Sequence, residues 1–235
     1  AQRLREELDY DREANHLKLF SEILKKYDDI RIPTVFKNVS TDKLLVMSYL
    51  SGKPLMDYKS SSQEIRNKIA HCLFRAWWVP FGQFGVIHGD PHLGNYSIIE
   101  EDNNVLGINL LDFGCVRRFQ PVFVEGVINL YNGLKNNNQE MLVNSYESWG
   151  FKNLNKELID ILNVWANFIY GPILDNRSRT VADGIEPEVY GRKEAFNVYQ
   201  SLKKIGPVEI PREFVFMDRA AIGLGSVFLH LNANL

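Results

Sequence analysis

The sequence predicts an α+β fold in which a small sheet-containing part precedes a larger, mainly helical part. Three observations favour this arrangement. Helical periodicity opens the chain, two short alternating apolar runs follow, and helical patterns fill most of the chain after residue 52 apart from one strand insert. We therefore expect one structural part over residues 1–52 and a second over residues 53–235.

The composition of the 235 residues is that of a globular protein, with 45% hydrophobic and 24% charged residues. The net charge of −2 gives no basic field that would collect nucleic acid. The two cysteines, Cys72 and Cys115, lie far apart, which excludes a disulfide framework and a zinc ribbon. An anionic ligand must therefore be held by local groups.

No targeting or membrane-spanning segment is predicted. The chain opens with Ala1 and charged helical sequence, which is typical of a piece of a longer protein and not of a secretion signal. The apolar stretch 76–87 is interrupted by Pro80, Gly82 and Gly85, so it is too short to span a bilayer.

The first predicted element is an amphipathic helix over residues 1–26, with Leu17, Phe20 and Leu24 on one face. At about 100° per residue, Glu13 lies in the middle of this apolar stripe. A carboxylate buried there needs a cation. A lysine upstream of Ala1 would supply one, and the alternatives are pairing with His16 or exposure to solvent.

The next elements are two strand-like runs, 32–37 and 44–49, joined by a polar turn at 38–42, which together predict an antiparallel pair. A buried helix is predicted from Gln63 to about Phe84, where apolar residues recur at every fourth position. Beyond Pro121 the chain is predicted to be helical, with loops at 134–138, 171–188 and 205–212.

The polar residues that suggest chemistry lie in two neighbouring segments, His88-Gly89-Asp90-Pro91-His92-Leu93-Gly94-Asn95 and Asp112-Phe113-Gly114. Asn95 follows Asp90 by five positions, the spacing of a kinase catalytic loop. A hairpin with strands 96–99 and 105–111 and a turn at 101–104 would return Asp112 to the end of the sheet where Asn95 lies. One Asp and one Asn can bind Mg²⁺ and leave coordination positions for the phosphates of ATP.

These segments resemble the UbiB-like (AarF-domain) family of atypical kinases. The similarity extends in the right order over nearly the whole chain. It includes Glu7-Leu8-Asp9, which resembles the family's Glu-x-Asp motif, the helix residue Glu13, the hinge-like segment 44–52 and the C-terminal segment 214–231.

The resemblance implies a kinase-like two-lobed fold, with the later part of the small lobe and the hinge in 1–52 and the helical lobe in 53–235. It implies ATP and Mg²⁺ as cofactors and the following site residues: Asp90, His88 and Asn95 for catalysis, Asn95 and Asp112 for the metal, and Glu7, Asp9, Glu13, Met47, Tyr49, Asn95 and Asp112 for the nucleotide. His88 is expected to brace the loop, and His92 either touches phosphate or fixes the loop.

The implied partners are a nucleotide and isoprenoid-quinone intermediates or a quinone-biosynthesis complex, with peripheral contact to a membrane and none to nucleic acid. The implied location is cytoplasmic or membrane-peripheral in a bacterium, and mitochondrial or plastid in a eukaryote. The chain has no Ala-Pro-Glu and no phosphorylatable loop after Gly114, which disfavours a protein substrate.

The sequence departs from the family pattern at Leu93, where Pro is usual, and at Ser48, where Glu is usual. The family's nucleotide-binding lysine would lie upstream, so residues 1–235 alone are expected to bind nucleotide poorly. Two other functions remain open, a small-molecule phosphotransferase of the aminoglycoside or choline kinase type and a catalytically silent pseudokinase scaffold. An iron site built on His88 and Asp90 is disfavoured because it leaves Asn95 and Asp112 unexplained.

Overall fold

The computed structural model describes residues 9–185 and 190–234. The chain divides into two compact units, Ala1–Arg118 and Phe119–Leu235. The first unit combines helices with two small sheets, and the second is built of helices. The predicted α+β class is confirmed. The predicted lobe boundary at residues 52 and 53 falls inside the first unit and stays a prediction.

The first described helix, α1 (Tyr10–Leu24), is capped by Asp9, whose carboxylate accepts a hydrogen bond from the Arg12 N–H at 3.0 Å. Such caps satisfy a backbone donor that the first turn of a helix leaves unpaired. The predicted apolar stripe is confirmed because Leu17, Phe20 and Leu24 are all buried. The remainder of the predicted helix, residues 1–8 with Glu7, lies outside the described residues.

The larger sheet of the first unit contains β1 (Ile30–Arg31), β2 (Lys53–Pro54), β4 (Tyr96–Glu101) and β5 (Asn104–Leu110) in the order β1-β5-β4-β2. Strands β4 and β5 form the predicted hairpin, and its turn contains Asp102 and Asn103, both with positive φ. Two-residue turns of this hand match the twist of a hairpin. The short strand β1, which was not predicted, pairs with β5 in parallel.

The predicted pairing of residues 32–37 with 44–49 is present as an isolated antiparallel bridge between Val35 and Met47. The Phe36 N–H donates to the Val46 carbonyl at 2.8 Å, and the Ser48 N–H donates to the Thr34 carbonyl at 2.8 Å. The direction of the pairing was therefore predicted correctly, although the two runs are too irregular to form extended strands.

Helix α2 (Gln63–Phe84) has the predicted bounds. The Ser62 side chain caps its first turn, and Gly85 ends it in the left-handed conformation with φ of 65°. The chain then enters β3 (Val86–His88), which pairs antiparallel with β6 (Val116–Arg118) in a second sheet.

The second unit contains helices α3 (Pro121–Asn136), α4 (Gln139–Ser148), α5 (Lys156–Leu174), α6 (Arg192–Ile205) and α7 (Arg212–Leu231). Polar ends of aromatic side chains link them. The Trp149 indole N–H donates to the Phe123 carbonyl at 3.1 Å, and the Tyr170 hydroxyl donates to the Val127 carbonyl at 3.1 Å. A break near residues 149–155, between α4 and α5, was not predicted.

By length and composition, α7 is the one described helix that could cross a membrane. Met217, Ala220, Leu224 and Val227 are buried along one face of α7, and a third of its apolar window, 33%, is buried within the protein. Core helices of soluble proteins meet the same criteria, so this is weak evidence for a membrane span.

Gly107 in β5 is required by a close approach of two backbones. A Cβ atom at this position would collide with the carbonyl group of Asp29. We expect Gly107→Ala to lower the free energy of unfolding by about 1–3 kcal/mol, because backbone atoms cannot move aside as a flexible side chain can. Gly225→Ala is the control, since nothing lies within 4 Å of the added atom. Urea denaturation measures both, and equal stability of the two variants would contradict the prediction.

The burial of Asp218 should make the stability of the protein depend on pH. Burial raises the pKa of its carboxyl group, although the indole N–H of Trp165 donates to it at 2.6 Å and lowers the pKa in part. Because its pKa is raised, Asp218 binds a proton more tightly in the folded state than in the unfolded chain. The protonated carboxyl group therefore contributes fully to the free energy of unfolding below a pH of about 3.9, the pKa in the unfolded chain. This contribution is lost as the pH rises through the raised pKa.

Asp218→Asn keeps an acceptor for Trp165 and removes the charge. We therefore expect its free energy of unfolding to increase relative to wild type as the pH rises from about 3.5 to 7. Denaturant titrations across this range provide the measurement. A difference between variant and wild type that does not change with pH would rule out this account of Asp218.

Candidate active site

Two short ladders bring the segments 89–95 and 111–115 of the first unit side by side. At one end the Gly89 N–H donates to the Cys115 carbonyl at 2.6 Å, next to the pairing of β3 with β6. At the other end the Leu111 N–H donates to the Asn95 carbonyl at 3.0 Å, next to the pairing of β4 with β5. The predicted neighbourhood of Asn95 and Asp112 follows from these ladders.

Asn95 joins the ends of the first segment. Its side-chain amide donates to the Asp90 carbonyl at 2.9 Å and to the Asp90 carboxylate at 3.1 Å. Asn95 is buried, whereas Asp90 is exposed. Since both bonds use the amide nitrogen, the Asn95 side chain orients the Asp90 carboxylate and keeps its own oxygen, Oδ1, for a ligand.

Asp112 is exposed and its carboxylate is oriented by its own loop. Oδ1 accepts a hydrogen bond from the Gly114 N–H at 2.9 Å, a local turn that Asp residues commonly form. This bond engages one carboxylate oxygen and leaves Oδ2 for a ligand.

The oxygens of Asn95 and Asp112 fit Mg²⁺, which prefers a few carboxylate or amide oxygens together with water and phosphate. Among the described residues there is no group of three or more His, Cys, Asp or Glu side chains that could hold a metal. His88 is buried, and its Nε2 atom donates to the Asp112 carbonyl. It therefore connects the end of β3 to the Asp112–Gly114 turn.

Helix α1 contacts the Asp112–Gly114 turn through two side chains. The Glu13 carboxylate accepts from the Phe113 N–H at 3.2 Å, and Nδ1 of His16 donates to the Phe113 carbonyl at 3.0 Å. The Phe113 ring is fully buried and packs edge-on against Phe20, with ring centroids 5.1 Å apart, and against His88 at 5.3 Å.

Burial shifts the pKa values of both α1 residues. It raises the pKa of the Glu13 carboxyl, which the bond from Phe113 lowers in part, and the charge of Asp112 raises it further. Burial also lowers the pKa of His16. The Glu13 carboxylate is thus held by a backbone donor, and His16 contacts Phe113 and not Glu13.

The hydrogen bond between His16 and Phe113 was not predicted. The periodicity of α1 contained a signal, because His16 lies about 60° from Glu13 around the helix, at the edge of the apolar stripe beside Phe20. A polar side chain at such a position is half-way into the core and needs a hydrogen-bond partner. The identity of that partner depends on a residue 97 positions away.

The other predicted residues are spread along the unit. Asp9 caps α1, and His92 caps the short 3₁₀ helix Leu93–Asn95 by accepting from the Gly94 N–H at 3.1 Å. This bond is consistent with a role of His92 in bracing the loop, and contact with phosphate stays a prediction. Met47 takes part in the bridge to Val35, and Tyr49 is 89% exposed.

Comparison with known proteins identifies the family of the chain. The model of the ABC1 atypical kinase-like domain matches residues 1–146. The chain is 31% identical over 121 residues to the mitochondrial atypical kinase COQ8 of Saccharomyces cerevisiae, covering 52% of this chain and 24% of that protein. It is 25% identical over 133 residues to the chloroplastic ACTIVITY OF BC1 COMPLEX KINASE 8 of Arabidopsis thaliana, covering 56% of this chain and 17% of that protein.

A solved structure shows the same fold. The Mycobacterium tuberculosis protein Rv3197, in complex with erythromycin, superposes with a TM-score of 0.66 at 20% identity, covering 97% of this chain and 56% of that one. The chain spans about a quarter of the length of the curated relatives it matches, 24% to 27% for three of them. Since the family model matches well over half of the 235 residues, this chain belongs to the ABC1 (UbiB-like) family of atypical kinases.

Proposed function

We propose that the protein binds ATP with Mg²⁺ and acts as an atypical kinase or ATPase. The observation that carries the proposal is the arrangement around Asn95. Its amide holds the Asp90 carboxylate, and its backbone carbonyl accepts from Leu111, the residue before Asp112. The proposed proton acceptor and the two proposed metal ligands thus belong to two adjacent segments.

Asp90 is the group proposed to orient the attacking nucleophile and to accept its proton. It is exposed, as a group that meets a substrate must be, and Asn95 fixes its direction at 3.1 Å. Phosphoryl transfer depends mainly on positioning and charge stabilisation, so one well-oriented carboxylate is sufficient.

Asn95 and Asp112 are the proposed metal ligands, through Asn95 Oδ1 and Asp112 Oδ2. A bound Mg²⁺ would neutralise the negative charge that develops on the phosphates. His88 is proposed to hold the backbone of the metal ligand Asp112, because its ring donates a hydrogen bond to the Asp112 carbonyl. The protein oxygens would leave coordination positions for phosphate oxygens and water.

The remaining predicted residues are proposed to serve the nucleotide. Glu13 is half-buried and holds the Phe113 N–H through Oε1, so its second oxygen can anchor a lysine from outside residues 1–235. The family resemblance is the basis for proposing that the nucleotide is also bound by Glu7, Asp9, Met47 and Tyr49. For residues 1–235 alone we expect weak nucleotide binding, because that lysine is missing from them.

The proposed substrates and partners are isoprenoid-quinone intermediates or a complex that makes them, at the surface of a membrane. Support comes from the family and from the relatives' names, of which one is mitochondrial and one chloroplastic. These names also support a location in an organelle of the same kind. The net charge of −2 gives no reason to expect nucleic acid as a partner.

The metal site is tested by Asp112→Asn in the intact protein. We expect the affinity for Mg²⁺-ATP to fall by at least about 10–100-fold, because the carboxylate charge that binds the metal is lost. Calorimetric titration with ATP in the presence and absence of Mg²⁺ measures it. Asp102→Asn, in the turn of the same hairpin, is the matched control and should bind normally. Unchanged binding by Asp112→Asn would refute the assignment.

Asp90 is tested separately from the metal. Asp90→Ala should reduce kcat for ATP turnover by about 10²–10⁴-fold, since a positioned proton acceptor contributes that much to a rate. Binding of Mg²⁺-ATP should persist because the metal ligands remain. Steady-state kinetics and binding are compared on the same preparation. Turnover by this variant at the wild-type rate would contradict the proposed role of Asp90.

A further inference from the structure

The backbone of the Asp112–Gly114 turn is held by side chains at four successive polar groups. His88 holds the Asp112 carbonyl, and Glu13 holds the Phe113 N–H at 3.2 Å. His16 holds the Phe113 carbonyl at 3.0 Å, and the Asp112 carboxylate holds the Gly114 N–H at 2.9 Å. Each of the two peptide units in the turn is therefore held at both its carbonyl and its N–H.

The peptide unit between Phe113 and Gly114 links His16 to Asp112. A peptide is planar, so the direction of its carbonyl fixes the direction of its N–H. The carbonyl of this unit accepts from His16 and its N–H donates to Oδ1 of Asp112. The hydrogen bond from His16 therefore sets the direction of the donor that orients the Asp112 carboxylate.

This peptide unit would otherwise be the least constrained part of the turn. Gly114 has no Cβ and permits backbone conformations that other residues do not, so the peptide before it can rotate at little cost. Glu13 and His88 hold the preceding peptide unit and do not act on this one. His16 is only 5% exposed and is carried on the same helix as Glu13, so its ring is fixed in place.

We propose that His16 is a positioning residue for the metal ligand Asp112. The inference rests on the proposed function, because it assigns His16 to the Mg²⁺ site described above. Loss of the His16 hydrogen bond lets the Phe113–Gly114 peptide rotate, withdraws the N–H from Oδ1, and frees the Asp112 carboxylate to leave the orientation that binds the metal.

The test uses His16→Leu and His16→Asn in the intact protein. Leu removes the donor, whereas the Asn amide can donate to the Phe113 carbonyl as the imidazole does. The measurement is the Mg²⁺ concentration for half-maximal ATP turnover, with Mn²⁺ binding followed by electron paramagnetic resonance as a second measurement. We expect His16→Leu to raise the half-maximal concentration by about 3–10-fold, the equivalent of one hydrogen bond, and Asn to restore most of it.

The matched control is His71→Leu, at an exposed histidine on α2 of the same unit, which should leave the metal dependence unchanged. If His16→Leu fails to fold, His16→Phe fills the space of the ring without a donor at Nδ1 and provides the same test. A lower melting temperature with unchanged metal dependence would show a purely structural histidine and overturn the inference. Equal weakening by Leu and Asn would also overturn it.

The proposed function and this inference fail in different ways. Wild-type Mg²⁺-ATP binding by Asp112→Asn would overturn the metal assignment itself. Loss of binding in Asp112→Asn together with normal metal dependence in His16→Leu would retain the metal site and reject the role of His16.

Discussion

The contact between helix α1 and the backbone of Phe113 is the interaction on which the site depends. Strand pairing places Asp112 beside Asn95, but a ladder of backbone bonds does not fix the direction of a carboxylate beyond its end. Glu13 and His16 supply that constraint from a helix about 100 residues earlier in the chain, since each bonds one side of Phe113. The buried Phe113 ring holds the helix at the distance these bonds require.

The candidate site combines buried supporting side chains with exposed carboxylates. Asn95, His88, His16 and Phe113 are buried, whereas Asp90 and Asp112 are exposed. This division has a physical reason. An exposed carboxylate stays hydrated when no ligand is bound. The neutral side chains beneath it can be packed without the free-energy cost of a buried charge.

Local patterns predicted α1, α2 and the hairpin of β4 and β5, because their causes lie within a few residues. Ser62 caps the start of α2 and Gly85 terminates it. The apolar stripe defines α1, and the turn at Asp102 and Asn103 sets the hairpin. Long-range contacts were not predicted in the same way. The pairing of β1 with β5 involves two residues of β1, and the partner of His16 is set by tertiary packing that no local pattern encodes.

The site was predicted to the extent that spacing encodes it. The interval from Asp90 to Asn95, and the hairpin that leads to Asp112, predicted that the two segments lie side by side. The interpretation of Glu13 was incomplete, because a carboxylate in an apolar stripe was expected to need a cation, and a backbone N–H also satisfies it. Backbone donors in loops leave no trace in a sequence pattern.

The central claim is that Asn95 and Asp112 together hold the metal of a bound nucleotide. The most direct measurement is a crystal structure of the intact protein with Mg²⁺ and a non-hydrolysable ATP analogue. The account predicts Mg²⁺ at about 2.0–2.1 Å from the Asn95 side-chain oxygen and from an Asp112 carboxylate oxygen, with phosphate oxygens completing the shell. A nucleotide whose metal is coordinated by neither residue would contradict it.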